Sequence, residues 1–474
     1  MTDKYDNLGF KAGLEIHQQL PDRKLFSHTP SVIRQDEHDY TIDRNLRASA
    51  GESGGVDQAA AHEQAKQKSF TYQGYRDTDS LVELDEEPPH SVSNEAVQTA
   101  LVVANLLNME VVDAVQFMRK IVVDGSNTTG FQRTALVAKD GHIDVGEHRI
   151  GIESLCLEEE ACQIQNRTDD HDTYNLSRLG IPLLEIATAP DLASPKQCRA
   201  AAEEIGMLLR STERVKRGLG TIRQDVNVSI EDGARTEVKG FQDHRNIPDV
   251  VAHEVQRQKD LIDEEQTVEP SVRRAEDDHT TTYLRPMPGA DRMYPETDIQ
   301  VLKPSHDTVE EPRTIRERRK EYADSYGMSD DLAKKAVRYE LNSPFSFQPI
   351  LDEYVSNDLS ANNIVELYTV KREEHLPDDD RFEAHAEILL ESLSNGDVSY
   401  DSVEAILQDI ADTGTVDLAN YELMSDSELQ SIIRSILDEN PDAPQGALMG
   451  MIMQESDGQA DGERAAKLLN QIRG

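Results

Sequence analysis

Short runs in which apolar and polar positions alternate dominate the first three hundred residues. A period of two places successive side chains on opposite faces of an extended chain, so these runs predict β-strands. Strands are predicted over residues 9–14, 117–123, 181–188, 221–230 and 236–240. Helices are predicted between them, over residues 93–107, 194–209 and 249–263. We therefore expect this part of the chain to be mixed α/β.

Two local signals refine these boundaries. Ser194 and Pro195 supply an N-cap and a proline at the first helical position, so a helix should begin there. Residues 45–67 are rich in Ala, Gly and Ser, and residues 263–282 are acidic and rich in helix breakers. Both segments are expected to be loops.

After about residue 304 the alternation stops and apolar positions recur at helical spacing. Helices are predicted over residues 310–326, 330–339, 361–373, 381–394, 402–412, 427–439, 446–454 and 462–472. The acidic segment 377–380 is expected to divide this half. The predicted organisation is thus a mixed α/β domain over 1–304, a helical domain over 305–376 and a helical tail domain over 377–474.

Charge sets the environment in which this chain should work. Its 474 residues contain 91 Asp and Glu against 49 Lys and Arg, a net charge of −42. Such a charge repels itself unless salt screens it, which favours an organism with a high-salt cytoplasm. A local basic site would still be needed to hold a nucleic-acid backbone.

Compartment signals agree with a cytoplasmic protein. No apolar run reaches the length of a membrane span, and the first residues have no apolar signal core. The three cysteines form no C-x-x-C pair, which fits a reducing compartment. A match of residues 51–55 to the nucleophile-elbow pattern lacks the flanking strand and helix and is discarded.

Acidic side chains in the predicted strands are candidate ligands for a metal ion. Glu15 and His17 share a strand face and could bind a divalent cation together, although a solvent-facing edge strand is the simpler interpretation. Glu185 lies in the apolar run IPLLEIAT, so it needs a cation or an ion pair, for example with Arg178. The Glu triplet 158–160 could join them or form a solvated face. Convergence would favour Mg²⁺, with Mn²⁺ or Zn²⁺ as alternatives.

Basic residues offer candidate phosphate contacts. Arg119 and Arg133 flank the glycine- and hydroxyl-rich segment DGSNTTGFQRT, which either contacts a phosphate or forms a simple hairpin turn. It is not a P-loop. Arg223 lies on the polar face of an alternating segment, and Lys239 is a nearby cation.

Motifs in order along the chain resemble one family. GLEIHQQL, LVELDEEPPH, VVDGSNTTGFQRT, NLSRLGIPLLEIATAPD, TIRQDVNVSI, TEVKGF and YLRPMPGADRMYPETDI are similar to the GatE family of archaeal glutamyl-tRNA(Gln) amidotransferases, a relative of bacterial GatB. The resemblance implies a cradle-shaped α/β catalytic domain followed by helical and tail domains that contact tRNA. It also implies ATP-dependent phosphorylation and amidation of the glutamate on Glu-tRNA(Gln).

The resemblance assigns roles to particular residues and partners. It places the metal and catalytic set at Glu15, His17, Glu159 and Glu185, and it leaves Arg119, Arg133, Arg178, Arg223 and Lys239 as phosphate candidates. It implies ammonia from an asparaginase-like glutaminase subunit, GatD, in an α₂β₂ assembly. The synthetase-like insertion usual in the family is missing near 263–282. A GatB-type enzyme acting on Asp-tRNA or Glu-tRNA and a non-catalytic tRNA-binding adaptor are the alternatives.

Overall fold

The computed structural model describes residues 4–51, 54–241, 243–287, 293–304, 309, 311–377, 381–441, 443–456 and 459–473. The chain forms two compact units, Met1–Thr314 and Ile315–Gly474. Five predicted features fall partly outside the described residues. They are the loop over 45–67 at residues 52 and 53, the motif YLRPMPGADRMYPETDI at residues 288–292, the domain boundary at 304/305, the helix over 310–326 at residue 310, and the acidic segment 377–380 at residues 378–380.

The first unit contains the strands and four helices. The strands are β1 (Lys11–Gln19), β2 (Tyr40–Arg44), β3 (Ser69–Gly74), β4 (Glu110–Val111), β5 (Met118–Ile121), β6 (Phe131–Val145), β7 (His148–Glu159), β8 (Gln163–Arg167), β9 (His171–Asn175), β10 (Pro182–Thr188), β11 (Ile222–Ser229), β12 (Thr236–Phe241), β13 (Ser271–Ala275), β14 (Thr281–Pro286) and β15 (Met293–Pro295). The helices are α1 (Gln58–Ala65), α2 (Asn94–Leu106), α3 (Pro195–Ser211) and α4 (Ile247–Asp263).

One large sheet organises this unit. Its strand order is β14-β13-β12-β11-β1-β10-β7-β6-β5-β15, and β4 also pairs with β6. Neighbouring strands are antiparallel except β12 and β13, which are parallel. A smaller sheet has the order β2-β3-β9-β8. The prediction of a mixed α/β first half is confirmed.

Helices α2, α3 and α4 cover one face of the large sheet. The side chains of Leu14, Ile16 and Leu184 on that face are at most 1% exposed and form its main apolar core with the helices. The predicted start of α3 is confirmed, because the Ser194 hydroxyl accepts a hydrogen bond from the backbone N–H of Gln197. Burial on one face only leaves the other face of the sheet for polar side chains.

Two segments expected to be loops contain regular structure. Helix α1 lies within the predicted loop 45–67, and Asp57 caps it by accepting from the N–H groups of Ala59 and Ala60. The segment 263–282 contains β13 and the first residues of β14, which pair as an antiparallel hairpin. Both expectations were wrong because local capping and strand pairing outweigh a breaker-rich composition.

In the residues that the structure describes, the second unit is built of helices, apart from an isolated β-bridge between Val398 and Glu422. Its helices are α5 (Ile315–Tyr326), α6 (Asp330–Asn342), α7 (Phe347–Tyr354), α8 (Ala361–Glu366), α9 (Arg372–His375), α10 (Arg381–Ser394), α11 (Val403–Thr413), α12 (Asp426–Glu439), α13 (Gln445–Glu455) and α14 (Gly462–Arg473), with a π-helical segment at Leu367–Lys371. The prediction of a helical second half is confirmed.

This unit has two apolar clusters. One runs from Tyr322 to Ile410 and joins α10 and α11 to the preceding helices, and the other runs from Leu429 to Leu469. The boundary expected at 376/377 falls inside the first cluster. Among the described residues, no helix combines the length and the apolar character that crossing a membrane requires.

Candidate active site

Because side chains alternate along each strand, polar side chains gather on the face of the large sheet that lies opposite the helices. In β1, Leu14 and Ile16 point to the helices, so Glu15 and His17 point to the opposite side. The register pairs His17 with Glu185 of β10 on one side and Glu15 with Asp225 of β11 on the other. Central antiparallel strands therefore bring these side chains to one place.

An open cavity of about 430 Å³ lies over this polar face of the sheet. Its charged lining residues are Glu15, His17, Lys120, Glu158, Glu160, Glu185, Arg223, Arg235, Glu237, Lys239 and Arg285. Most of them lie on strands of the large sheet, namely β1, β5, β7, β10, β11, β12 and β14, so the sheet itself fixes their spacing. Such a convergence of charges in a concave site indicates chemistry on a charged ligand.

One charge cluster joins β1, β10, β7 and β5. The imidazole Nε2 of His17 lies 3.2 Å from a carboxylate oxygen of Glu185. The ammonium of Lys120 lies 2.6 Å from Glu158 and 3.5 Å from Glu185. Burial would lower the pKa of His17, but the hydrogen bond and charge of Glu185 outweigh it and raise that pKa. Burial opposes ionisation of Glu185, yet Lys120 and His17 hold its pKa well below the usual value.

A second cluster joins β1, β11 and β12. Oxygens of Glu15, Asp225 and Glu237 lie within 4.8 Å of one another. The ammonium of Lys239 lies 2.6 Å from Asp225 and also pairs with Glu237. Asn227 donates to Glu15 at 2.9 Å. Burial, followed by the charge of Glu237, raises the pKa of Glu15, while Lys239 and the hydrogen bond from Asn227 oppose the shift.

A third group fixes the guanidinium of Arg223. Its two terminal nitrogens donate to Glu160 at 2.7 and 3.0 Å, and Gln19 donates to Glu160 at 2.8 Å. Burial opposes ionisation, but Arg223 and Arg178 together lower the pKa of Glu160 to about 2. Arg223 is therefore held in a bidentate pair at the edge of the cavity.

The structure does not bring Glu159 to this cavity. Glu159 follows Leu155 and Leu157 at a spacing of two, so it points to the helix-covered face. There it accepts a hydrogen bond from Arg133, which also pairs with Glu296. The member of the triplet next to Glu185 is Glu158. The expected set of Glu15, His17, Glu159 and Glu185 thus comes together without Glu159.

Three of the five expected phosphate contacts also lie elsewhere. Arg119 and Arg133 both pair with Glu296. Arg178 is partly buried and donates to the backbone carbonyls of Ala161 and Cys162. The alternative ion pair between Arg178 and Glu185 is wrong, because His17 and Lys120 are the partners of Glu185. Arg223 and Lys239 do line the cavity.

Comparisons with known proteins agree with the motifs. A model described as the GatB/GatE catalytic domain matches residues 10–310, and a model described as a GatB domain matches residues 347–472. The GatE subunit of the glutamyl-tRNA(Gln) amidotransferase of Methanocaldococcus jannaschii is 35% identical, over 100% of this chain and 99% of that protein. The chain belongs to the GatB/GatE family. The resemblance inferred from its motifs is confirmed.

Other relatives show how similarity is distributed along this GatB/GatE family member. The GatE subunit of Haloarcula marismortui is 34% identical over 98% of each chain. The GatE subunit of Methanococcus maripaludis strain C5 is 55% identical over 262 residues, which are 55% of this chain and 42% of that protein.

The donor set fits the divalent metal that the family resemblance implies. Carboxylates of Glu15, Glu158, Glu185 and Glu237 face one cavity with the imidazole of His17, and an oxygen of Asp225 lies within 4.8 Å of oxygens of Glu15 and Glu237. Oxygen donors suit Mg²⁺, and a cation would be attracted by the clustered carboxylates of Glu15, Asp225 and Glu237.

The site residues selected from the sequence leave out Lys120, Asp225 and Glu237, and they include Glu159 of the triplet 158–160 in place of Glu158. Each of Lys120, Glu158, Asp225 and Glu237 lies one or two positions from a residue that the sequence analysis named as a candidate for the site, and this proximity is the signal that could have identified them. Asp225, for example, shares its strand face with Arg223, and Glu237 shares its strand face with Lys239. Their convergence depends on strand order, which alternation does not reveal.

Proposed function

We propose that this chain is the ligase subunit that converts glutamate on misacylated tRNA(Gln) into glutamine. The observation that carries the proposal is the cavity in which acidic and basic side chains meet on one sheet face of a GatB/GatE catalytic domain. Similarity to GatE subunits of glutamyl-tRNA(Gln) amidotransferases, which extends over nearly the whole length of those proteins, supports the proposal.

The reaction has two steps in which anions must approach one another. A γ-carboxylate oxygen of the glutamyl ester attacks the γ-phosphorus of ATP, and ADP leaves. Ammonia then attacks the acyl carbon of the glutamyl phosphate, phosphate leaves with the bonding electrons, and the nitrogen loses a proton. Charge neutralisation and alignment are the main requirements of such steps, so no side-chain nucleophile is needed.

Three cations of the cavity meet these requirements in our proposal. Arg223 and Lys239 are each 32% exposed, so part of each side chain is accessible to phosphate oxygens while carboxylates hold the rest in place. Lys120 is 16% exposed and lies between Glu158 and Glu185. Preorganised cations of this kind need little rearrangement when charge develops on the transferred phosphoryl group.

A divalent metal, Mg²⁺ with Mn²⁺ or Zn²⁺ as alternatives, would neutralise phosphate charge when bound. Glu15 would hold it, together either with His17 and Glu185 or with Asp225 and Glu237. His17 is fixed by Glu185, so its ring can present only a limited set of orientations to the cavity.

The partner assignment belongs to the same proposal. We propose that GatD, an asparaginase-like glutaminase, supplies ammonia in an α₂β₂ assembly in the cytoplasm.

The length of the alignment supports the loss of the synthetase-like insertion. The alignment with the Methanocaldococcus protein runs over 632 positions, which is 158 more than the 474 residues of this chain. The hairpin of β13 and β14 occupies the expected insertion point. The net charge supports a halophilic lineage.

The test is ATP turnover by the full chain with Glu-tRNA(Gln), Mg²⁺ and ammonium chloride, in molar KCl. Ammonium replaces the glutaminase partner, so failure of that partner cannot imitate failure of this chain. We expect ADP to form only when Glu-tRNA(Gln) is present. Glu185→Gln should lower the rate about a hundredfold, because it removes the anion that fixes His17 and Lys120.

Glu153→Gln is the matched control, since Glu153 is an exposed glutamate of β7 outside the cavity. It should keep the wild-type rate. Binding of Glu-tRNA(Gln) without turnover by the wild type would favour the adaptor alternative. Turnover with Asp-tRNA(Asn) would favour a GatB-type enzyme. Turnover by Glu185→Gln at the wild-type rate would show that the cavity does not take part in the reaction.

A further inference from the structure

An irregularity in the hairpin of β13 and β14 turns one arginine toward the active-site cavity. Thr281, the first residue of β14, points to the helix-covered face, where its hydroxyl donates to Glu254 of α4 at 2.9 Å. Side chains alternate along a strand, so Arg285, four positions further on, would point the same way in a regular strand. The register shifts before that position and gives β14 one residue more than β13. Such a shift reverses the orientation of the side chains that follow it.

Strand pairing shows on which face Arg285 lies. Val272 of β13 is the partner of Arg285 on one side and of Glu237 of β12 on the other. Paired residues on neighbouring strands project to the same face of a sheet. Glu237 lines the active-site cavity, and Arg285 lines it as well. Bulges that re-aim a side chain in this way occur preferentially at sheet edges and next to active sites, and β14 lies at the edge of the large sheet.

Arg285 differs from the other cations of the cavity in its lack of a carboxylate partner. Lys120, Arg223, Arg235 and Lys239 each lie within 3.7 Å of a carboxylate oxygen. Within the part of the chain that the structure describes, the guanidinium of Arg285 has neither an ion pair nor a hydrogen bond. All its N–H donors are therefore available to a ligand.

The acidic residues nearest to Arg285 have other partners. A small cavity of about 50 Å³ is lined by Arg285 together with Asp57, Glu63 and Asp124. Asp57 caps α1, Glu63 pairs with Lys66, and Asp124 accepts hydrogen bonds within its own turn. Among the described residues, no ion pair joins any of these carboxylates to Arg285. The charge of its guanidinium is thus available to the larger cavity.

We propose that Arg285 is a further catalytic residue, whose guanidinium contacts the phosphoryl group while that group moves from ATP to the glutamate carboxylate. The inference rests on the proposed function. A bond from a γ-carboxylate oxygen to phosphorus forms as the bond from phosphorus to ADP breaks, and negative charge is spread over the phosphoryl oxygens outside both bonds. Arg285 donates hydrogen bonds to those oxygens and forms no covalent bond. Its planar fork of N–H groups matches them in geometry as well as in charge.

The paired cations and Arg285 differ in how much charge they offer. Arg223 gives both terminal nitrogens to Glu160, and Lys239 is bonded to two carboxylates, so their charge is partly compensated before a ligand binds. A cation without a counter-ion stabilises developing negative charge more strongly, because no neighbouring carboxylate opposes it. Arg285 is the lining cation of the described cavity that meets this condition.

The test measures ATP turnover by the full chain with Glu-tRNA(Gln), Mg²⁺ and ammonium chloride, in molar KCl. We expect Arg285→Gln to lower kcat about a hundredfold with little change in the KM for ATP, because the contact strengthens in the transition state. Arg274→Gln is the matched control. Arg274 is an exposed arginine of the same hairpin that pairs with Glu276 and does not line the cavity, so this variant should keep the wild-type kcat.

Chemical rescue separates a direct contact from a structural role. Arg285→Ala leaves space where the guanidinium was, so guanidinium chloride, added at concentrations too low to unfold the protein, should restore part of the lost turnover. The same addition should not raise the turnover of the wild type. The thermal midpoint of each variant is measured in parallel. A lowered midpoint together with lost turnover and no rescue would show that Arg285 only holds the hairpin in place, and it would overturn the inference.

Three further results would overturn the inference. The first is a wild-type kcat for Arg285→Gln, and the second is an equal loss of kcat in Arg285→Gln and Arg274→Gln. The third is a raised KM for Glu-tRNA(Gln) at unchanged kcat, which would place the arginine against the tRNA instead of the phosphoryl group. In all three the wild type turns over ATP, so the proposed function stands. A wild type without turnover would instead overturn the proposed function, and this inference with it.

Discussion

At the scale of single residues, the triplet 158–160 shows how strand geometry separates neighbouring glutamates. Glu158 faces Lys120 and the cavity, whereas Glu159 faces Arg133 on the opposite side of the sheet. Both are buried, and the strand alternation alone decides which of them can take part in the reaction.

This separation predicts opposite effects for two equivalent substitutions. Glu158→Gln should lower turnover about a hundredfold, because it removes a charge beside the reacting groups, whereas Glu159→Gln should keep a rate near that of the wild type. Glu159→Gln should lower the free energy of unfolding by about 1–3 kcal/mol, since Arg133 keeps Glu296 but loses a buried anionic partner. Denaturant titration and ATP turnover of both variants measure the two effects.

Each variant is the other's control, because the same atoms change at adjacent positions. Full turnover by Glu158→Gln together with an inactive but stable Glu159→Gln would restore the assignment made from the sequence motif. It would also mean that this strand rearranges before the reaction.

The residues that sequence analysis placed correctly share a property. Glu15 and His17 share a strand face because they are two positions apart, whereas their meeting with Glu185 depends on the pairing of β1 with β10. Arg119 and Arg133 were misplaced because their register against Glu296 of a distant segment cannot be read from local pattern. Electrostatic pairing across the sheet can be recognised only when strand order is known.

At the scale of elements, local signals predicted boundaries well where a cap was present. Helix α3 begins at the predicted position because the Ser194 side chain satisfies a backbone N–H that the first turn leaves unpaired. The long hairpin of β6 and β7 was missed. Its sequence contains Asp140 in a left-handed conformation and a register shift between Leu136 and Ala138, which interrupt the alternation.

The cap at Ser194 gives the prediction at this scale. Ser194→Ala should lower the free energy of unfolding by about 1 kcal/mol, because the N–H of Gln197 loses its acceptor. Ser194→Gly should lower it by only a few tenths of a kcal/mol, since glycine leaves the helix end open to water. Thermal unfolding of the two variants measures the difference. Equal losses would show that the hydroxyl does not stabilise the helix.

At the scale of the whole molecule, charge is the dominant physical feature. A net charge of −42 on 474 residues makes the folded state repel itself, while individual ion pairs at the site remain local. The cations of the active-site cavity are a local exception to this acidity. Binding of anions should therefore depend on this cavity rather than on overall charge.

The same charge predicts how stability responds to salt. Raising KCl from about 0.1 M to about 1 M shortens the screening length from about 10 Å to about 3 Å, so repulsion between surface carboxylates should weaken. The thermal midpoint of the full chain should rise over this range. Choline chloride at equal ionic strength is the control: an equal rise indicates screening, whereas a rise with KCl alone indicates bound potassium. A midpoint that does not change with either salt would contradict the halophilic assignment, because the acidic surface would then not destabilise the fold at low salt.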